Sequence, residues 1–212
     1  MNRARADKSP HPRGPRQASA RLRDAGVGAF FRPRQLRKAG LSSGQLPALL
    51  RAGLVERVQR GLYRIASSEP TEDYSLAMTC ARVPRSIVCL LSALRVHGIG
   101  TQTPAEVWLA IPHKARAPRF IDLRVRIVRF SGPAWSRGVV STTFEGVPAH
   151  ITSPARTVVD CFRFEGLVGP EVAMEALADA LHQRKTTVAE LGRIERAFPT
   201  RRLRAALDVR SI

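Results

Sequence analysis

The sequence predicts an α+β protein: an N-terminal winged helix-turn-helix followed by a mixed α/β domain with a helical C-terminus. Three observations predict it. Two short helical patterns punctuated by Gly40 and Gly53 lead into two strand-like pieces split by Arg60-Gly61. Between residues 73 and 152, runs of strand length are interspersed with helical patterns. From Ser153 onward the patterns are helical. At 212 residues the chain is longer than most single domains, which favours two modest domains, each with its own core.

Residues 1–15 mix Arg and Lys with Pro10, Pro12, Gly14 and Pro15, a composition too poor in apolar side chains to hold one conformation, and predict a disordered basic arm. A short helix is expected over Gln17–Ala25 and a short strand over Ala29–Phe31. Pro33 then opens a second helix in its first turn, where the missing N–H is not needed, and Gly40 ends it. In "LSSGQLPALLRAG" either Ser42 or Ser43 can serve as N-cap, and Gly53 is the stop. Leu46, Leu49 and Leu50 share one face of that helix, with Gly44, Pro47, Ala48 and Arg51 opposite. Pro47 removes an early backbone donor, so the helix is expected to start later than Ser43. "LVERV" and "LYRIA" follow as a hairpin turning at Gly61. The winged helix therefore spans residues 16–66, and "SSEPTE" at 67–72 reads as a linker.

The second domain is assigned to residues 73–212. "DYSLAMTCARV" and "LLSALRVHG" are helical, and "EVWLAI" is a continuous apolar run expected inside a sheet. In "DLRVRIVRF" Leu123, Val125 and Ile127 alternate with Arg124 and Arg126, the period of a half-buried strand. "VVSTTFEGVPAHI" reads as a hairpin turning at Glu145-Gly146. "SPARTVVDCFRF" begins a helix at Ser153-Pro154, and "PEVAMEALADAL" confines its apolar residues to one half of the wheel. "TVAELGRIERAF" and "TRRLRAALDV" complete the helical C-terminus.

Charge dominates the composition. Lys and Arg number 35 against 17 Asp and Glu, a net +18 that would attract a polyanion. Residues 1–66 hold 15 of those basic side chains and 3 of the acidic ones, so the excess concentrates in the N-terminal third. Arginine enrichment from GC-rich coding would raise the isoelectric point in the same way. No apolar run approaches the roughly 18 residues that a membrane helix needs, and the N-terminus lacks the apolar core of a secretory leader, so the cytoplasm is expected. Cys80, Cys89 and Cys161 are odd in number and set in apolar surroundings, which reads as buried free thiols rather than a disulfide framework or a zinc site. The five histidines have no metal-binding spacing, and no phosphate-cradling glycine motif or nucleophile elbow occurs. Asp160 lacks the companion carboxylates of a metal-dependent nuclease and is expected to pair with Arg156, four residues earlier on its helix. His97 is expected to interact with the last carbonyls of its own helix. No catalytic residue, metal or cofactor is predicted.

The segment "FFRPRQLRKAGLSSGQLPALLRAGLVERVQRGLYRIA" resembles the N-terminal winged-helix domain of AbiEi-type antitoxin regulators. "SALRVHGI", "EVWLAIP" and "EGVPAHITSPARTVVD" are similar to the domain that follows it in bacterial relatives, so the resemblance covers about residues 17–212. It implies a transcriptional regulator that represses its own operon and is the antitoxin partner of a nucleotidyltransferase-like toxin. The alternatives are an accessory nucleic-acid-binding subunit of a nuclease or restriction-type defence system, and an interaction protein whose basic arm binds an acidic toxin.

If the winged helix holds, the exposed face of residues 43–52 meets the major groove of double-stranded DNA, and Ser43, Gln45 and Arg51 become the base-reading candidates. For Ser43 the sequence favours the role of helix cap over that of a base contact. Arg32, Arg34, Arg37 and Lys38 on the preceding helix, with Arg57, Arg60 and Arg64 on the hairpin, are candidates for phosphate contact, which positions a protein without specifying a sequence. One winged helix reads little DNA, so an inverted-repeat operator occupied by two copies is expected.

Overall fold

The computed structural model describes residues 15–69 and 71–208. The expected basic arm thus lies outside the described residues except for Pro15, which begins a helix. Two compact units divide the chain: the first runs to Glu72 and takes in Glu145–Val147, and the second holds Asp73–Phe144 and the residues from Pro148.

In the first unit α1 spans Pro15–Asp24 and β1 Phe30–Phe31; a 3-10 helix follows over Pro33–Ala39. A single 3-10 turn, Ser43–Gln45, runs into α2, Leu46–Arg51, and the hairpin is β2, Val55–Gln59, with β3, Leu62–Ile65. α2 starts at Leu46, which puts Pro47 in its first turn, where the N–H that proline lacks would have no intrahelical partner. The strands form a sheet in the order β1-β3-β2, antiparallel throughout the pairs Phe30↔Arg64 and Val55↔Ile65. Its core is Leu22, Phe31, Leu36, Leu41, Leu46, Leu49, Val55 and Ile65, each no more than 7% exposed. Leu46 and Leu49 come from the apolar face expected of α2, while Pro47 and Arg51 on the opposite face are exposed.

The second unit is a five-stranded mixed sheet with helices. After α3, Tyr74–Arg82, come β4, Ile87–Val88, and α4, Leu90–His97. The strands β5, Val107–Pro112, β6, Val125–Phe130, β7, Val139–Phe144, and β8, Val147–Thr152, complete the sheet in the order β6-β5-β4-β8-β7. β5 runs parallel to β6 and antiparallel to β4, and β4 runs parallel to β8. The continuous apolar run therefore lies inside the sheet and the alternating one at its edge. Positive φ at both Glu145 and Gly146, +46° and +79°, gives the two-residue turn between β7 and β8 the backbone that suits strand twist. The helical C-terminus is α5, Pro154–Arg163, α6, Glu165–Val168, α7, Pro170–His182, α8, Val188–Ala197, and α9, Arg201–Asp208.

The "SPARTVVD" run closes this core with charge. Ser153 caps α5, its hydroxyl accepting the Arg156 amide. Arg156 is fully buried: Nε donates to Asp160 at 2.8 Å, Nη2 to the Ala134 carbonyl at 3.3 Å and Nη1 to the Arg137 carbonyl. Its guanidinium lies 4.0 Å from the Phe198 ring centroid, and Arg163 donates to the second Asp160 oxygen at 2.6 Å. Burial raises the Asp160 carboxyl and lowers the Arg156 guanidinium from their ordinary ranges, and their mutual contact opposes both shifts. The backbone of Gly138 passes so close that a Cβ there would sit 2.7 Å from that of Arg156, which leaves room only for glycine at its φ of +66°.

His97 departs from expectation. Its Nε2–H donates to the Thr152 carbonyl of β8 at 2.7 Å, not to its own helix end. Those last carbonyls are taken by Gly98, in the left-handed conformation, and Ile99. Burial, with a smaller contribution from Lys185, lowers the His97 pKa below its ordinary 6.5. The unfolded chain then takes up the proton first as pH falls. The stability due to neutral His97 is complete above about pH 6.5 and lost as pH drops toward the folded pKa. Thermal unfolding from about pH 7.5 to 5.5 is expected to show a fall that His97→Gln reduces; identical profiles would contradict it. Cys80, Cys89 and Cys161 are buried free thiols, and burial pushes Cys80 up to about 12, so it stays protonated.

Candidate nucleic-acid interface

In the first unit two helical turns begin in the same way. The Gln35 side-chain oxygen accepts the Arg32 amide at 2.8 Å, and the Gln45 oxygen accepts the Ser42 amide at 2.9 Å. Each glutamine thus satisfies a backbone donor that a helix start leaves without an intrahelical partner. Between them Gly40, at φ +67°, reverses the chain, with the Gly40 and Leu41 amides bonded to Arg37 and Leu36. Two short helical segments, a tight turn and a hairpin with a third strand beside it are the parts of a winged helix-turn-helix.

Ser42 occupies the N-cap position, which leaves Ser43 exposed in the first turn. Gln45 is half-buried; with its oxygen engaged, its NH2 group is the part free to read a base. Arg51 is exposed at the end of α2. On the 3-10 helix Arg34, Arg37 and Lys38 are exposed, and Arg32 at its N-cap is half-buried. In the hairpin β2 changes register between Arg57 and Gln59, a bulge that sharpens local twist near the tip. Arg57 and Arg60 are exposed there, and Gly61 completes the turn at φ +73°.

Arg64 is held differently from the other cations. Its side chain is 12% exposed, pairs with Glu56 at 3.7 Å across the strands and donates to the Ser68 carbonyl. The physical reason is register: Glu56 stands directly opposite Arg64, so the pair braces the hairpin. Glu56 is the one acidic residue between positions 32 and 64, and its engagement leaves Arg34, Arg37, Lys38, Arg51, Arg57 and Arg60 without an acidic partner among the described residues. The side chains of these six make no hydrogen bond or ion pair among the described residues.

Among the described residues no three His, Cys, Asp or Glu side chains gather in a metal-binding group, and no helix is long and apolar enough to cross a membrane. Asp160 is committed to two arginines.

The arrangement defines a winged-helix module with a cationic surface, in an α+β chain. Residues 20–66 match the family model described as transcriptional regulator, AbiEi antitoxin, the family that the sequence resemblance named. The fold is similar to the crystal structure of RV2827C protein from Mycobacterium tuberculosis, at 18% identity and a TM-score of 0.51, over 85% of this chain and 70% of that one. No curated protein matches the chain.

Proposed function

We propose that this chain is a DNA-binding transcriptional autorepressor and the antitoxin of a bacterial toxin–antitoxin operon, opposing a nucleotidyltransferase-like toxin from the cytoplasm. The observation that carries the DNA-binding part is the set of six exposed cations, without acidic partners among the described residues, on a winged helix whose sequence matches a regulator family. Arg34, Arg37 and Lys38 hold the phosphate backbone; Arg57 and Arg60 ride beside the groove; Ser43, the Gln45 amide and Arg51 read base edges. Arg64, as the braced residue, keeps the wing in shape.

Repression and protection are carried by different parts: residues 16–66 recognise the operator, and residues 73–212 carry the antitoxin function. Co-expression with the neighbouring toxin tests this. The full chain bearing Arg57→Glu and Arg60→Glu should lose repression of a promoter reporter yet still protect cells. Loss of protection together with repression would make repression the whole function. Gly61→Val should weaken operator binding about tenfold, because a β-branched residue at positive φ is costly and distorts the turn, at about 1–3 kcal/mol. Unchanged binding in a gel shift would mean that the turn plays no part in the contact.

A further inference from the structure

We propose that the loop joining β5 to β6 in the second unit is a second phosphate-binding surface for duplex nucleic acid, separate from the winged helix. Residues 113–124, "HKARAPRFIDLR", contain no helix or strand. Loops of about 12 residues without secondary structure are uncommon inside compact domains and tend to be functional. Clamps fix this one at both ends. Arg129 Nη1 donates to the carbonyls of Pro112 and His113, each at 3.1 Å, and to that of Ala115. Arg82 grips Asp122 with both terminal nitrogens, at 2.5 and 2.6 Å.

These contacts also remove the local negative charge. Asp122 is taken by Arg82, and Glu106, at the start of β5, is taken by Arg126 at 2.5 Å. Lys114, Arg116, Arg119 and Arg124 remain, all exposed and with no side-chain hydrogen bond or ion pair among the described residues. Four cations on a braced backbone lose little further freedom on meeting an array of phosphates. A protein partner would need an apolar centre, and the loop offers one fully exposed large apolar side chain, Ile121. A membrane surface would need an amphipathic helix, and the loop has none.

The test uses the full chain, with a random-sequence duplex of about 30 base pairs as probe and binding read by fluorescence anisotropy across salt. Lys114→Gln, Arg116→Gln, Arg119→Gln and Arg124→Gln are combined, both with the native wing and with Arg57→Glu and Arg60→Glu. All four positions are exposed, so the thermal transition should be unchanged, which is checked alongside. With the wing reversed, residual binding should persist; adding the loop changes should lower it at least about tenfold and flatten the slope of log K against log salt by about 3 to 4. Ile121→Ala should leave both unchanged. No residual binding, or residual binding indifferent to the loop changes, would overturn the proposal. A loss produced by Ile121→Ala at constant salt slope would also overturn it and assign the loop to an apolar protein partner. Failure of the winged-helix reading shows separately, as affinity for operator and random duplex alike untouched by wing reversal.

Discussion

Arg156→Ala should lower the thermal transition of the second unit by roughly 6–20 °C, the largest stability loss expected from any single change at a polar residue here. Removing one member of a buried ion pair costs about 3–5 kcal/mol, because the other is left in a low dielectric without its partner. For a chain of this length each kcal/mol moves the transition by about 2–4 °C. Alanine would leave the Asp160 carboxylate with Arg163 alone and remove the donors of the Ala134 and Arg137 carbonyls. It would also open a void beside Phe198. Replacing both charges, Arg156→Met with Asp160→Leu, should recover much of the loss, since an apolar pair of similar volume has no charge to desolvate. Calorimetry on the three proteins decides it. A single mutant as stable as the native chain would mean that the network is not what closes the core.

Arg57→Glu with Arg60→Glu should weaken binding to every duplex by about 100-fold or more, since each charge-assisted contact is worth about 1.5–3 kcal/mol and reversal adds repulsion. Sequence preference should survive, because wing cations meet phosphates rather than base edges. Removing the Gln45 amide should do the opposite, with Gln45→Ala narrowing the gap between operator and scrambled DNA at nearly constant general affinity. Competition binding on the two duplexes separates the effects. Equal loss of preference from both variants would contradict the division between wing and helix.

The outline of the fold was legible because local chemistry punctuates it. Gly40, Gly53, Gly61 and Gly146 all have or adjoin the unusual backbone angles their positions suggested, and Pro33, Pro47 and Pro154 all lie in first turns. What escaped was non-local. On the sequence Gln45 reads as a base-reading candidate and Gln35 goes unmarked; that both side chains bond backward to start helical turns shows only in the structure. Arg64 counted as a wing cation because hairpin register, which sets Glu56 against it, is invisible in a list of charges. His97 finds its partner 55 residues away on β8, and Arg156 is buried because acceptors at Ala134 and Arg137 converge on it. In the loop at 113–124 the four cations were visible in the sequence, but not the clamps that take up the two neighbouring carboxylates.

The central claim is that an electrostatic winged-helix interface selects the chain's own operator. Equilibrium binding of the full-length protein to a duplex from upstream of its own coding sequence, beside a scrambled duplex of the same length and across salt concentration, tests it most directly. With about six phosphates neutralised by the winged helix, log K should fall with log salt at a slope of about −5 or steeper, and the promoter duplex should be preferred at every salt concentration. A slope near zero, or equal binding to both duplexes throughout, would contradict it.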